Sequence, residues 1–365
     1  MNIPAGVMVE RFGRKKILVV GAVGLGIFAS LSGAATGMTL FIAARLVAGL
    51  FNGMVATTAN VVVADLTTVE NRGRALGLTH AVQLITGIAS PAIGGLLAEV
   101  VDIRAPYYIS GIGVLVFGAW ALLRLPETRP GPHAREVAGA PSAARRKDAN
   151  SGSSFSDAMA LLHSKGFMLV CLLGFAQFFT RTGASHSLIP LFADRVIGLS
   201  PGTLGLFFSG ASVLHSVLVY PAGVIADRYG RKVVIVPANL ALVAALVLVP
   251  FGETVLLFAF AFTLVHAAQG YGGQAPMAYL GDVAPEGSRG LSFGIWRTFG
   301  DAAGMIAPLS VTALVAAVSF EAAFIFNAAI VAIITIVFAK VAVETAGTRR
   351  RRDDAGVQAS RESKG

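Results

Sequence analysis

Arg297 and Asp301 are the only charged side chains in the run 290–316, and they stand four residues apart. On a helix this spacing puts both on one face, close enough to pair. A carboxylate about 11 residues into a membrane span sits near the bilayer midplane, where burial is expected. It then forms either a self-neutralised structural pair or a group that takes a proton when the pair opens. Arg45 lies well inside another apolar run, 39–65, on one helical face with Gly49, Asn52 and Ala56. An arginine in a span costs about 2.5–3.5 kcal/mol, so it needs a partner, water or a route to the surface. It either reaches the outer surface, tunes a nearby carboxylate or binds a substrate.

Uncharged polar residues recur along the same runs. His80, Gln83 and Gly87 share a face, and so do Gln177 and Arg181. Gln269, Tyr271 and Gln274 fall in "AAQGYGGQAP". Taken singly, each is more often an interhelical hydrogen bond than a ligand contact. Together they predict a partly polar cavity between two halves of the molecule. Phe175, Phe178, Phe179 and Trp296 are available there for aromatic contact. The mix suits amphiphilic or cationic organic compounds. No GxxxxGK[ST], HExxH or CxxC occurs, and His186, His215 and His266 lack metal-ligand spacing. The pattern therefore predicts no enzyme, no cofactor and no metal.

The elements that position these residues follow from composition. The 365 residues are 55% hydrophobic and 13% charged, with mean hydropathy +0.72. Soluble domains carry about 25% charged residues. Crossing a bilayer takes about 20 apolar residues. Candidate spans are 17–37, 39–65, 75–99, 105–124, 166–193, 201–226, 233–251, 254–281, 290–316 and 320–342. Residues 1–9 read as the end of a further one. Strand-like alternation is missing, so the prediction is an all-α polytopic membrane protein. Cys171 lies in an apolar run and gives no disulfide framework.

Lysine and arginine fix the expected orientation. Placing 10–16 on one side makes the spans alternate. That side collects Arg11, Arg14, Lys15, Lys16, Arg72, Arg74, Arg228, Arg231, Lys232 and Arg289, whereas the other receives only Arg104 and Arg195. The basic side is read as cytoplasmic, which accounts for the net charge of +9 without nucleic acid. The organisation is then a first bundle (1–124), a cytoplasmic linker (125–165) whose stretch 129–154 should be mobile, a six-helix bundle (166–343) and a basic cytoplasmic tail (344–365).

The chain also repeats itself. "PAGVMVERFGRKK" occupies 4–16 and "PAGVIADRYGRKV" occupies 221–233, an offset of 217. The offset pairs Gly6 with Gly223, Glu10 with Asp227, Asp65 with Asp282, Arg72-Gly73 with Arg289-Gly290, Gly77 with Gly294, Gly87 with Gly304, and Pro91 with Pro308. A period this long predicts two pseudo-symmetric helical bundles related as parallel repeats. In the turn itself, Gly13 and Gly230 allow a sharp bend. Glu10 and Asp227 can cap or pair at the helix ends. Gly6 and Gly223 permit close helix approach.

These residues resemble the major facilitator superfamily, whose signature between the second and third helices reads G-x-x-x-D-R-x-G-R-K. The first copy here is Gly6, Glu10, Arg11, Gly13, Arg14 and Lys15, with Glu10 where aspartate is usual. The second copy is Gly223, Asp227, Arg228, Gly230, Arg231 and Lys232. "RLVAGLFNG" (45–53) resembles the family's fourth-helix motif. "TGIASPAIGG" (86–95) resembles in part the fifth-helix motif of drug–proton antiporters, through Pro91, Gly94 and Gly95. These last three are alternatively packing and bending devices. "ADLTTVENRGRALG" (64–77) leans the same way, and "LPET" (125–128) is common to many members.

The resemblance implies a major facilitator fold of twelve helices, of which this chain holds ten full spans and a stub. Roughly one and a half helices are then expected before Met1. It further implies proton-coupled efflux of small organic or drug-like compounds by alternating access. On this reading the signature turns act as charged latches, and Asp301, Arg297 and Arg45 carry proton coupling. Asn52, His80, Gln83, Gln177, Arg181, Gln269, Tyr271, Gln274 and Trp296 are the candidate cavity residues. The expected partners are a small-molecule substrate, protons and the lipid bilayer, with no nucleic acid, in a monomer of the plasma (inner) membrane. The alternatives are an importer of a sugar or organic acid, proton-coupled or facilitated, and a truncated paralogue that does not transport.

Overall fold

A computed structural model describes residues 13–67, 71–127, 155–285 and 288–344. The chain forms α1 (Arg14–Ala34), α2 (Met38–Leu66), α3 (Arg72–Val100) and α4 (Ala105–Arg124), followed by α5 (Phe155–His163), α6 (Lys165–Phe179) and α7 (Ile189–Phe192). The remaining helices are α8 (Pro201–Tyr229), α9 (Arg231–Leu248), α10 (Val255–Gly272), α11 (Ala275–Val283), α12 (Arg289–Ala317) and α13 (Phe320–Val341). Among the described residues, ten helical stretches are long and apolar enough to cross a membrane. They follow the ten runs read from the sequence. The expected stub at 1–9 lies outside the described residues.

The contacts divide the chain into two units. One is Met1–Arg146 with Pro201–Leu206, and the other is Lys147–Ser200 with Phe207–Gly365. Residues 201–206, at the start of α8, group with the first unit. Helix α5 begins just after the stretch 129–154 that reads as the mobile part of the linker, and that stretch lies outside the described residues. The run 254–281 is two helices, because "GYGGQAP" puts a break and a helix-starting Pro276 in its middle.

In the first unit α1 packs on α4 and α2. Small residues make the approach possible. A Cβ on Gly26 would lie 2.8 Å from the Gly111 carbonyl, and one on Gly24 would meet the Phe51 ring at 2.5 Å. Ile17 and Met54 form its small buried cluster. No residue in the most apolar window of α3 is fully buried.

The second unit has a larger core. Helix α12 packs on α6, and α9 packs on α10 and α13. Phe167, Val170, Leu173, Tyr279, Leu280 and Phe338 are all buried there. Two buried polar pairs tie its helices. Thr180 donates to Asn327 Oδ1 at 2.9 Å, and Asn239 Nδ2 donates to Thr335 Oγ1 at 3.0 Å. In a membrane such bonds contribute about 0.6 kcal/mol on average.

The span after α6 departs from a plain helix. Thr180–Leu188 winds in wide π-type turns, α7 adds one α turn, and Ala193–Ile197 is wide again. The segment "TRTGASHSL" is the most polar part of the span, and Pro190 beyond it has no N–H for an i−4 carbonyl. Gly198 ends the span with φ +75°. Wide turns of this kind are frequent at functional sites.

Candidate functional site

Two polar sites stand out. The first is a charged turn that both units build. In the second unit, Gly230 bends the chain with φ +116° and α9 begins at Arg231. The first N–H groups of a helix have no partner within it, and the helix dipole makes that end positive. Glu344 meets both demands: its carboxylate accepts from Arg231 N at 2.8 Å and from Lys232 N at 3.1 Å. The Arg231 guanidinium bridges two acids, with Nε 3.2 Å from Asp282 and Nη1 on Asp227. Lys232 Nζ donates to Ala342 O at 3.2 Å.

The first unit repeats the arrangement. Gly13 turns with φ +97°, Glu127 accepts from Arg14 N at 2.8 Å, and Arg14 Nε lies 3.0 Å from Asp65. Both glycines are required twice over. Their φ is one that side chains rarely adopt. A Cβ would also lie 2.7 Å from Glu127 Oε2 at Gly13, or 2.6 Å from the Glu344 oxygens at Gly230.

The sequence reading placed the acid of the signature at a helix cap or in a pair. The structure resolves this for Asp227, which pairs with Arg231 while Glu344 makes the cap. Gly6, Glu10 and Arg11 lie outside the described residues. Lys15 is half-buried, and Arg228 lies over the Tyr229 ring at 5.4 Å. One expectation is corrected. Gly223 is not a point of close helix approach, because nothing lies within 4 Å of where its Cβ would be. It lines a cavity of about 140 Å³ with Asp227, Arg231, Tyr271 and Gln274.

Glu127 and Glu344 were missed as functional residues. The signal was present: they too are 217 apart, and each ends a short stretch after a span.

The second site is a cavity of about 300 Å³ lined entirely by residues of the second unit. It brings together the predicted Gln177, Arg181, Gln269, Gln274, Trp296 and Arg297, and adds Thr180, His215 and Asn239. Asn239 is the only polar side chain in the run 233–251, a signal that passed unused. The amides are held by neighbours: Gln177 Nε2 donates to Gly273 O at 3.1 Å and Gln269 Nε2 to Ser185 Oγ at 2.9 Å. Phe178 meets Trp296 edge-on at 5.7 Å, and the Arg297 guanidinium lies 5.3 Å from the Phe178 ring centre.

Other predicted residues lie elsewhere. Tyr271 lines the smaller cavity. Phe175 and Phe179 stack on each other at 5.8 Å. Asn52, His80 and Gln83 are exposed on the first unit. Arg45 is also exposed and lies 4.5 Å from the Tyr107 ring centre and 5.7 Å from that of Phe41, so aromatic faces hold its charge. Asp301 pairs with Arg297 at 2.9 Å, as the helical spacing predicts. The two side chains are 60% and 59% exposed, because both project from the open face of α12.

The antiporter-like stretch of α3 also separates into different roles. Pro91 sits inside a continuous helix, and its carbonyl abuts Gly205. Gly95 packs against Pro201 and Gly205, and Glu99 accepts from Gly202 N at 2.8 Å. Gly94 faces open space. All of these residues belong to the first unit.

The chain matches the family model described as Major Facilitator Superfamily over residues 1–195 and again over 170–363. Among its relatives, "Multidrug resistance protein 1" of Bacillus subtilis (strain 168) is 25% identical over 227 residues, covering 62% of this chain and 53% of that protein. The chain thus spans about half the length of this relative. "Tetracycline resistance protein, class C" of Escherichia coli is 26% identical over 319 residues, covering 86% and 75% respectively. Among solved structures, a bacterial homolog of the human lysosomal transporter Spinster, inward-facing and unoccupied, superposes with TM-score 0.74 at 12% identity. It covers 93% of this chain and 85% of that one.

Proposed function

The chain belongs to the Major Facilitator Superfamily, and from that premise we propose that it is a proton-coupled secondary transporter of small organic compounds in the plasma membrane, working by alternating access. Export in exchange for protons is the first reading, supported by relatives named for multidrug and tetracycline resistance.

One observation carries the coupling. Arg297 lines the cavity, and its partner Asp301 is open to its surroundings, so a proton can reach the acid. Protonation of Asp301 removes the negative partner and releases the guanidinium, so one carboxyl group sets the charge of the cavity. The signature turns serve as latches: Arg231 between Asp227 and Asp282, and Arg14 on Asp65, hold helix ends that must part during the cycle.

A second reading, proton-coupled uptake of an organic acid, is favoured by the cavity lining. It includes Arg181 and Arg297 and no carboxylate.

Reconstituted vesicles test the coupling. Asp301→Asn is expected to abolish accumulation driven by an imposed pH gradient while leaving substrate exchange measurable. A variant that still builds the full pH-dependent gradient would place the coupling acid elsewhere.

A further inference from the structure

The charge balance of the cavity says which end of a substrate it recognises. Its lining holds two guanidinium groups and no carboxylate. Arg297 is balanced by Asp301 at 2.9 Å. Arg181 has no carboxylate partner among the described residues, and it lines the cavity beside His215, Gln177 and Thr180. The Nε2 atoms of Gln177 and Gln269 already donate to protein acceptors, and the arginines are the charged donors of the lining. A cation entering this space meets a positive charge that no carboxylate offsets among the described residues. An anion instead supplies the missing partner, and a carboxylate matches the planar fork of a guanidinium. Trp296 and Phe178, edge to face at 5.7 Å, form an aromatic wall beside it. A volume of about 300 Å³ admits a small ring compound.

We propose that the cavity takes an aromatic organic anion, with Arg181 holding its carboxylate and the Trp296–Phe178 wall holding its ring. This replaces the cationic or amphiphilic substrate expected from the sequence. It rests on the transporter reading and decides between the two directions of coupling. An anion gains when Asp301 is protonated and Arg297 is released, so anion and proton enter together. A cation would compete with the proton and be exchanged for it.

The test uses the full chain in lipid nanodiscs with Trp120→Phe, so that Trp296 is the sole fluorescent indole. Trp120 lies on the first unit against Phe117 and is not among the residues that line the cavity. Three probes share one ring: 4-nitrobenzoate, neutral 4-nitrobenzamide and cationic 4-nitrophenyltrimethylammonium. The anion is expected to quench Trp296 saturably and to bind tightest. Arg181→Gln should weaken it about tenfold or more, as the loss of a charge-assisted hydrogen bond implies, while Arg181→Lys, which keeps the charge and loses the fork, should weaken it by less than Arg181→Gln. Asp301→Asn should bind the anion more tightly, because Arg297 is then unopposed.

The proposal is overturned if the cation binds as well as the anion, if Arg181→Gln leaves the anion's affinity within about twofold, or if none of the three binds. Flux in vesicles separates this from the underlying reading. Movement of a cationic dye without nitrobenzoate binding keeps the transporter and removes the anion site. Nitrobenzoate binding with no flux of any compound keeps the site and removes the transporter.

Discussion

Both units set an arginine backbone N–H against a glutamate 113 residues further on, and both set that arginine's Nε against an aspartate 51 residues further on. The surroundings of these two turns differ. The second unit wraps its turn in a core that includes Phe167, Tyr279 and Phe338, and Tyr279 donates to Val343 O at 3.1 Å beside the capping glutamate. The first unit offers Ile17, Met54 and close glycine contacts. The same polar geometry thus stands on unequal apolar foundations. The turn is fixed by the needs of a helix start and a buried guanidinium, and core packing has little say in it.

That comparison can be broken first at the glycines. Gly230→Ala combines a backbone conformation reserved for glycine with displacement of Glu344. It should destabilise the protein by about 1–3 kcal/mol from strain alone, read as lost folded protein in a thermal-shift size-exclusion assay. Gly13→Ala should do less, because its Cβ meets the movable tip of Glu127 and not the centre of a carboxylate. A larger loss at Gly13 would show that the first turn depends on its surroundings.

Next come the caps. Glu344→Gln and Glu127→Gln each replace a charge-assisted bond at a helix start with a neutral one. Each should lower the melting temperature by a similar amount, equivalent to about 1 kcal/mol. Unequal shifts would mean that the cores do contribute.

Arg231→Lys and Arg14→Lys keep the charge and lose the fork that bridges acids. Slower transport at unchanged membrane level is expected from Arg231→Lys, which breaks a two-acid bridge. Normal rates would remove the latch role.

The smallest effect concerns the glycines of α3. The register counterpart of Gly94 is Val311, which is fully buried in the second unit, whereas Gly94 faces open space. Gly94→Ala should be neutral or stabilising by up to about 1 kcal/mol through helix propensity. Gly95→Ala should be destabilising, because Pro201 and Gly205 lie against it. Harm from Gly94→Ala would point to a conformation in which that face is covered.

Much of this was legible in the sequence. The spans followed from unbroken apolar length, and the 217-residue register announced the repeat before any coordinates. Glycine at 13 and 230 announced the bends, since few other residues turn so sharply. The Arg297–Asp301 pair followed from helical spacing, but its exposure did not. Periodicity says which residues share a face, and it does not say what covers that face. Glu127 and Glu344 were hard to read because each acts across 113 residues from an extended end with no periodic pattern. The larger cavity is lined from one unit. Its wide-turned wall, Thr180–Leu188, breaks the 3.6-residue rhythm on which face assignments depend.

The 113-residue reach of the cap also has a meaning in time. A ribosome adds about 5–20 residues per second. Once Arg14 has been made, roughly 6–23 s pass before Glu127 exists. Throughout that interval the start of α1 has no protein acceptor from Glu127, and water or lipid headgroups must serve. The contact forms only after α4 has been synthesised, so it cannot guide the early insertion of α1 and α2. It records that the unit has been completed, and a pause in translation between residues 14 and 127 would lengthen the exposed interval without altering the finished fold.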